Sequence, residues 1–122
     1  MTKYVDGFVL VVPKKRVAEY KKMAQGAAKM WKKYGALSYR ECMLDDPKPK
    51  WVTFFFPVMA KAKPNETVWF SYIEYKSKKH RDAVNAKVMN DPSMKDMGPN
   101  DMSKMPFDMK RMAYGGFEVV VD

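Results

Sequence analysis

The two ends of the chain constrain its fold more than any other feature. Residues 4–12 read YVDGFVLVV and residues 114–121 read YGGFEVVV, so both runs are rich in β-branched and aromatic side chains. Such runs are typical of strands, and runs this apolar are expected inside a sheet and not at its solvated edge. We therefore expect both ends to be strands and the fold to bring them together.

A helix is predicted directly after the first strand. Apolar residues recur at spacings of three and four from Val17 to Tyr34, which places them on one face of the helix, and Gly35 suits a left-handed end. Lysines occupy most of the remaining surface of this helix. Its basic side is therefore expected to face water.

A second helix is predicted later in the chain, from a cap at Ser77 to about Asn90. Pro92 disfavours helical geometry at the residue before it, Asp91, which supports this end. The predicted apolar stripe of this helix is narrow and consists of His80, Ala83, Val84 and Val88.

Two further strands are predicted between the helices, over residues 36–44 and 66–75. The aromatic run at residues 51–56 separates them and is expected to form an extra short strand that ends at Pro57. Six methionines lie in residues 93–112, where we expect a Met-packed loop, because methionine side chains fill irregular gaps. The aromatic insertion and this Met-rich loop are both expected to cover an opening between the sheet and the helices.

The order of strand, helix, strand, strand, helix and strand predicts one α+β domain over residues 1–122 with a ferredoxin-like βαββαβ topology. Its antiparallel sheet would carry both helices on one face. The first strand is nevertheless apolar on both faces, since Phe8 and Leu10 alternate with Val9 and Val11. The second face therefore needs a partner, and a second copy of the chain, giving a homodimer, is the simplest one.

The charge balance leaves several partners open. The chain carries 23 basic and 14 acidic residues, a formal net charge of +9, and 18 of the basic residues lie within residues 1–81. A positive field of this kind attracts nucleic acid or anionic lipid, and it equally keeps a protein solvated. RNA-binding domains of this topology stack bases on an exposed sheet face, which a homodimer would close, and this argues against RNA.

The sequence also bears on the cellular compartment. No apolar run reaches about 18 residues, so no membrane span is expected, and the first residues lack the apolar stretch of an export signal. The single cysteine, Cys42, allows no internal disulfide and is expected to be a small buried side chain. A reducing cytoplasm is therefore the expected location.

Several segments of the chain resemble the YbaA-like family of bacterial proteins of unknown function. They are YVDGF at residues 4–8, YREC at 39–42, HRD at 80–82, VNAKVM at 84–89, MPFD at 105–108, KRM at 110–112 and YGGFE at 114–118. The resemblance implies a dimeric α+β barrel, in which two ferredoxin-like sheets meet face to face. Cofactor-free antibiotic-biosynthesis monooxygenases, haem-degrading monooxygenases and stress-responsive barrel proteins share this architecture. The family brings no established catalytic residues.

Metal and cofactor sites are not indicated by the residue types. His80 is the only histidine and Cys42 the only cysteine, so a zinc site cannot be completed, and no cofactor is expected. Polar residues within the family-like segments are instead the candidates for contacts to a small ligand, in one cleft between the second helix and the sheet. These candidates are Asp6, Arg40, Glu41, His80, Asn85, Arg111 and Tyr114. The alternative is a set of structural ion pairs, because buried charges require partners.

Three functions are compatible with these features. The first is a homodimer that binds a small organic molecule in a cleft between sheet and helices, with cofactor-independent monooxygenase-like or isomerase-like chemistry. The second is a binding or stress-response barrel without catalysis. The third is an RNA-associated protein that uses the lysine-rich first helix. The sequence leaves open whether the chain is an enzyme.

Overall fold

The structure, a computed structural model, describes residues 2–96 and 101–122. Its strands are β1 (Tyr4–Pro13), β2 (Ser38–Met43), β3 (Glu66–Tyr75) and β4 (Ala113–Glu118). Its α-helices are α1 (Val17–Lys33), the short α2 (Phe56–Met59) and α3 (Lys78–Met89). Short 3₁₀ helices lie at Lys14–Arg16, Pro92–Asp96, Met102–Lys104 and Met109–Arg111.

The four strands form one antiparallel sheet in the order β2-β3-β1-β4, which confirms the ferredoxin-like α+β fold. The two ends of the chain meet as expected, because β1 pairs with β4 in a register that places Phe8 opposite Tyr114. The position expected for the last strand was wrong, since β4 is an edge strand that ends at Glu118. Val120 and Val121, which follow it, are exposed.

α1 has the predicted amphipathic form. Tyr20 and Ala24 are buried, whereas the lysines of the helix are exposed. The helix ends near the predicted residue, and Gly35 has a φ of +111°, a left-handed conformation that residues with a Cβ rarely adopt. The basic side of α1 therefore faces water, as expected.

α3 begins where predicted, because the Ser77 hydroxyl accepts a hydrogen bond from the His80 backbone N–H at 3.1 Å. Val84 and Val88 are buried and His80 is half-buried, as the predicted stripe requires. Ala83 is exposed, so its inclusion in the stripe was wrong. One residue step rotates about 100° around a helix, and the buried face of α3 is too narrow to include this neighbour of Val84.

The main core lies between the sheet and the two long helices. One buried cluster joins Ile73 of β3 to Val84 and Val88 of α3. A second joins Leu10 of β1 to Tyr20 of α1. Burial of each such side chain stabilises the fold by about 1.5–3 kcal/mol, which accounts for both helices packing on one face of the sheet.

The aromatic insertion differs from the prediction. Residues 51–55 form turns, bends and irregular chain instead of a strand, Phe56 begins α2, and Pro57 lies in the first turn of α2 instead of ending an element. Proline is favoured there because the first N–H groups of a helix have no internal partner. Ala60, which directly follows α2, is buried with Val11 and Val68 on the sheet face opposite α1 and α3. The insertion therefore leads to that face and does not cover an opening between the sheet and the helices.

The rest of this second sheet face, which we call the open face, is largely uncovered in the single chain. Phe70 of β3 and Phe117 of β4 are 46% and 60% exposed. Cys42 lies opposite Phe70 in the register of β2 and β3 and is exposed as well. The prediction of a buried Cys42 was therefore wrong for the single chain, because no described part of the chain covers the open face at this point.

The Met-rich segment packs against the core where it is described. Met94 contacts the cluster under α3, and Met112 contacts the cluster under α1. Met97 lies outside the described residues. These described methionines therefore pack into the core, as predicted for a Met-packed loop, and its covering role stays a prediction.

Candidate ligand-binding pocket

A pocket of about 330 Å³ lies between α1 and the helix-facing side of the sheet. Its lining is mainly apolar and includes Phe8 and Ile73 from the sheet and Ala27 from α1. Met94 and Met105 of the Met-rich segment line it as well. The pocket thus lies under α1, whereas the cleft was expected between the sheet and α3, the helix that carries His80 and Asn85.

Glu41 is the carboxylate of this pocket. Its Oε1 accepts a hydrogen bond from the Tyr20 hydroxyl at 2.7 Å, and its Oε2 accepts one from the Tyr39 hydroxyl at 2.9 Å. Tyr39 and Glu41 are two residues apart on β2 and so point to the same face of the sheet. Tyr20 reaches the carboxylate from α1. The two hydroxyls hold Glu41 between helix and sheet.

Both tyrosines keep their protons over the usual pH range. Burial raises the pKa of Tyr20 and of Tyr39 well above the ordinary value of a phenol, and the negative charge of Glu41 raises both further. Each hydroxyl therefore remains a donor to the carboxylate. Each carboxylate oxygen can accept two hydrogen bonds, so Glu41 keeps acceptor capacity for a third group.

A groove of about 480 Å³ adjoins the pocket at the side of β2. Ala24, Tyr39 and Glu41 line both the groove and the pocket, while Lys21 and Gln25 line the groove alone. Glu41 therefore lies at the boundary between the two cavities. A molecule that enters from the groove meets this carboxylate before it reaches the interior.

Asp6 and Tyr114 belong to a different cluster, beside α3. Asp6 is buried, and its Oδ1 accepts hydrogen bonds from Arg81 Nη1 at 2.7 Å and from the Tyr114 hydroxyl at 3.0 Å. Arg81 Nη1 also donates to the Tyr114 hydroxyl at 2.8 Å. The three groups satisfy one another, and they join α3 to β1 and β4.

His80 and Asn85, both on α3, make hydrogen bonds of a structural kind. His80 Nδ1 accepts from the Lys76 backbone N–H at 3.0 Å. Asn85 Oδ1 accepts from Trp31 Nε1 at 3.0 Å and from the Tyr75 hydroxyl at 3.3 Å. Neither His80 nor Asn85 lines the pocket.

The two candidate arginines also lie away from the pocket. Arg111 Nη1 and Nη2 lie 2.8 Å and 2.7 Å from the two carboxylate oxygens of Glu66, and this contact lowers the pKa of Glu66 to about 2. Arg40 is exposed and lies opposite Tyr72 in the register of β2 and β3. It points to the open face, because Tyr39 and Glu41 on either side of it point to the helices.

The candidates therefore do not meet in one cleft. Asp6 and Tyr114 come together beside α3, and Glu41 is the one member of the set that lines the pocket. Alternation along β2 separates Arg40 from Glu41, although they are neighbours in sequence. A ligand-binding role for the other six candidates stays a prediction.

Three polar partners were missed by the sequence reasoning: Tyr20, Tyr39 and Arg81. Tyr39 could have been found, because its spacing of two from Glu41 places both on one face of a strand. Tyr20 lies on the predicted apolar face of α1, and only the packing of α1 on β2 shows that its hydroxyl reaches Glu41. The contact of Arg81 with Asp6 joins residues far apart in sequence and left no local signal.

Residues 2–96 and 101–122 contain neither a candidate metal cluster nor a membrane-spanning helix. No group of three or more histidine, cysteine, aspartate or glutamate side chains in this part of the chain is arranged to hold a metal ion. In the same part of the chain, no helix combines the length and the apolar character needed to cross a membrane.

Comparison with known proteins identifies relatives over nearly the whole chain. The sequence model of a family described as "Protein of unknown function (DUF1428)" matches residues 3–109. The chain is 50% identical over 120 residues to "Uncharacterized protein YbaA" of Escherichia coli strain K12, and the match covers 98% of each chain. The proteins of the same name from Escherichia coli O157:H7 and Shigella flexneri match with the same identity and coverage.

Proposed function

The chain belongs to the DUF1428 family of proteins of unknown function, as its resemblance to YbaA predicted, and we propose that it binds a small organic molecule in the pocket between α1 and the sheet. The observation that carries the proposal is Glu41, a carboxylate held by two tyrosine hydroxyls in a mainly apolar pocket. Ligand sites in proteins commonly combine an apolar cavity with a few placed polar groups.

The size of the pocket supports a small ligand. Its volume of about 330 Å³ lies near the lower end of the range of about 300–1,000 Å³ that is usual for ligand pockets. Methionines form part of its lining, and their flexible side chains adapt to differently shaped molecules. The groove at Glu41 supplies a route from the surface.

We also propose that the protein is a homodimer joined through its open faces. Phe70 and Phe117 leave large aromatic surfaces exposed there, and monomers rarely expose such patches. An obligate interface of this kind buries about 2,000 Å² or more in total. Sedimentation at micromolar concentration is expected to show twice the chain mass of 14.2 kDa, and a stable folded monomer would contradict the homodimer.

Glu41 also indicates which chemistry the pocket supports. A carboxylate in contact with a bound molecule can take up a proton from it, a step that isomerases and cofactor-independent oxygenases share. Binding without catalysis is the alternative. Incubation of the protein and its co-purified ligand in D₂O separates the two, because proton transfer exchanges a ligand C–H for C–D and simple binding does not.

A pocket-filling variant tests the binding proposal directly. Ala27 is half-buried on α1 and lines the pocket, so Ala27→Leu fills part of the cavity. The neutral apolar dye N-phenyl-1-naphthylamine is the probe, and its fluorescence rises on transfer into an apolar site. We expect wild-type protein to bind the dye saturably and Ala27→Leu to bind it at least tenfold more weakly.

The matched control is Ala86→Leu, the same change at an exposed position of α3. Its dye affinity should equal that of the wild type. Equal affinity of wild-type protein and Ala27→Leu would overturn the pocket as the site. Native mass spectrometry of the purified protein then looks for a co-purified molecule that Ala27→Leu loses and Ala86→Leu retains.

RNA association is a second candidate function, and the exposed lysines of α1 are the observation in its favour. It predicts RNA binding that weakens steeply with salt and is lost when Lys22, Lys29 and Lys33 are replaced with Gln. Dye binding in the pocket should be unaffected by these changes. For either function we propose the cytoplasm as the location, since a single cysteine suits a reducing compartment.

A further inference from the structure

We propose that the ligand of this pocket is a small organic cation, with its positive group at Glu41 and its apolar part against the aromatic side chains of the pocket. This inference rests on the proposed function, because it names the class of molecule that the same pocket takes. It follows from the charge of the lining, from the hydrogen-bond partners of Glu41 and from the rings around it.

The lining carries a negative charge and no positive one. Among the described side chains that line the interior pocket, Glu41 is the single acidic one, and none is a lysine, arginine or histidine. Lys21 lines the outer groove but not the interior pocket. A positive ligand therefore complements the charge of the pocket, whereas a carboxylate or phosphate would be repelled.

Two other carboxylates of the fold show how a structural acid is neutralised here. Asp6 Oδ1 lies 2.7 Å from Arg81 Nη1, and Glu66 Oε2 lies 2.7 Å from Arg111 Nη2. Both carboxylates are thus paired with an arginine of the same chain.

Glu41 differs from these two carboxylates. Within residues 2–96 and 101–122 it forms no ion pair, and its hydrogen-bond donors are the uncharged hydroxyls of Tyr20 and Tyr39. Glu41 is half-buried, and burial of a charge is costly unless an opposite charge pairs with it. A cationic ligand supplies the partner that the fold does not provide.

Aromatic side chains line the same pocket as Glu41. The ring centroids of Tyr20 and Phe107 are 5.8 Å apart, and those of Trp31 and Tyr39 are 6.2 Å apart, and all four side chains line the pocket. A cation within about 6 Å of an aromatic face is attracted by the negative face of the ring. Sites for quaternary ammonium groups are built from such rings, which favours a substituted ammonium group over a metal ion.

The net charge of the protein makes this preference easy to detect. With a formal net charge of +9, the surface of the protein repels cations on average. Unspecific electrostatic attraction would therefore favour an anionic ligand over a cationic one. A measured preference for the cation would therefore show that the ligand binds in the pocket and not on the surface.

Competition against N-phenyl-1-naphthylamine tests the charge preference with three ligands of similar size. They are benzyltrimethylammonium, which is positive and has no N–H, benzyl alcohol, which is neutral and donates a hydrogen bond, and phenylacetate, which is negative. We expect benzyltrimethylammonium to displace the dye at a concentration at least tenfold lower than benzyl alcohol, and phenylacetate to be the weakest. The absence of an N–H separates attraction by charge from hydrogen bonding.

Variants of Glu41 assign the preference to this carboxylate. Glu41→Gln should lose at least tenfold in affinity for benzyltrimethylammonium while its dye affinity stays within twofold of the wild type. Glu41→Asp keeps the charge and should retain a preference for the cation. Glu118→Gln, the same change as the first at an exposed position of β4, should behave as the wild type.

Equal affinity for the cation and the alcohol in wild-type protein would overturn the proposal, as would a cation preference that survives in Glu41→Gln. Saturable dye binding that Ala27→Leu weakens, without any charge preference, refutes the cation and leaves the proposed function standing. If the dye does not bind, benzyltrimethylammonium is titrated directly by NMR, and the lack of saturable shifts refutes the cation. The wild-type ligand series decides the matter even if Glu41→Gln does not fold.

Discussion

Arg81 Nη1 and Asp6 Oδ1 lie 2.7 Å apart and form an ion pair between α3 and the central strand β1. The two side chains are only 14% and 3% exposed, so the pair is shielded from water. The Tyr114 hydroxyl bonds to both partners, and the guanidinium of Arg81 lies over the ring of Tyr4, 5.0 Å from its centroid. Asp6 is therefore stabilised by the positive charge of Arg81 on α3 and by a hydrogen bond from Tyr114 on β4.

Loss of the guanidinium should destabilise the fold strongly. Arg81→Met keeps an unbranched apolar side chain but leaves Asp6 buried with one hydrogen bond from Tyr114. Breaking a buried pair by removing one partner costs about 3–5 kcal/mol. Urea unfolding of Arg81→Met at neutral pH measures this loss.

The control for this prediction is Lys3→Ala, which removes an ion pair to Asp122 whose side chains are 43% and 70% exposed. Exposed pairs contribute about 0–1 kcal/mol, so the midpoint of unfolding should hardly move. Equal losses of unfolding free energy in the two variants would show that the pair of Asp6 and Arg81 stabilises the fold no more than an exposed pair does.

The contact of Glu66 with Arg111 should appear in the acid stability of the protein. Arg111 lowers the pKa of Glu66 to about 2 in the folded protein, below its value in the unfolded chain. The unfolded chain therefore takes up the proton first as the pH falls. The stability that Glu66 contributes is fully present above about pH 4.5 and is lost as the pH falls toward 2.

Comparison of wild-type protein with Glu66→Gln isolates this contribution from the other carboxylates. The difference in free energy of unfolding should be constant between pH 6 and pH 5 and should shrink steadily at lower pH. Chemical unfolding at each pH value gives the difference. A difference that stays constant down to pH 3 would contradict the assigned role of Arg111.

Much of the fold could be predicted from local chemistry. The strand over Glu66–Tyr75, the end of α1 near Gly35 and the cap at Ser77 all depend on residues close together in sequence. The prediction of a strand at residues 51–56 was wrong because its aromatic residues suit a strand but have no neighbouring strand to pair with. Pairing is decided by the whole sheet, and local composition does not show it.

The site was harder to predict for the same reason. Glu41 was among the candidates because a carboxylate interrupts the strand. Its place in the pocket depends on Tyr20, since α1 brings the Tyr20 hydroxyl to within 2.7 Å of Glu41 Oε1. Asp6 looked equally suited to a ligand and instead pairs with Arg81. A sequence shows that a buried charge needs a partner, but only the fold shows whether the chain supplies it.

Two glycine-to-alanine changes should have opposite effects on stability. Gly35 has a φ of +111°, and an added Cβ would lie 3.4 Å from His80 Nε2, so Gly35→Ala is expected to lose about 1–2 kcal/mol. Gly26 is exposed within α1, where alanine favours the helix by about 0.5–1 kcal/mol. Thermal unfolding should lower the midpoint of the first variant and raise that of the second. Two shifts of the same sign would contradict the assigned backbone roles.

A charge on the open face should separate the two copies of the proposed homodimer. Phe70 lies on a central part of that face, between Val9 of β1 and Cys42 of β2 in the strand registers, and its ring is 5.9 Å from that of Tyr72. Phe70→Asp would place a carboxylate in the apolar interface, and burial of a charge there costs several kcal/mol. We expect this variant to sediment as a monomer of 14.2 kDa at a concentration where wild-type protein is a dimer.

The matched control is Met89→Asp, which adds the same charge at an apolar side chain of α3 that is 60% exposed and lies on the helix side of the sheet. It should sediment as the wild type does, because α1 and α3 take no part in the proposed contact. Dye binding in both variants should persist, since the pocket lies between α1 and the sheet within one chain. A dimer that survives Phe70→Asp but dissociates in Met89→Asp would move the interface to the helices and leave the open face to a different partner.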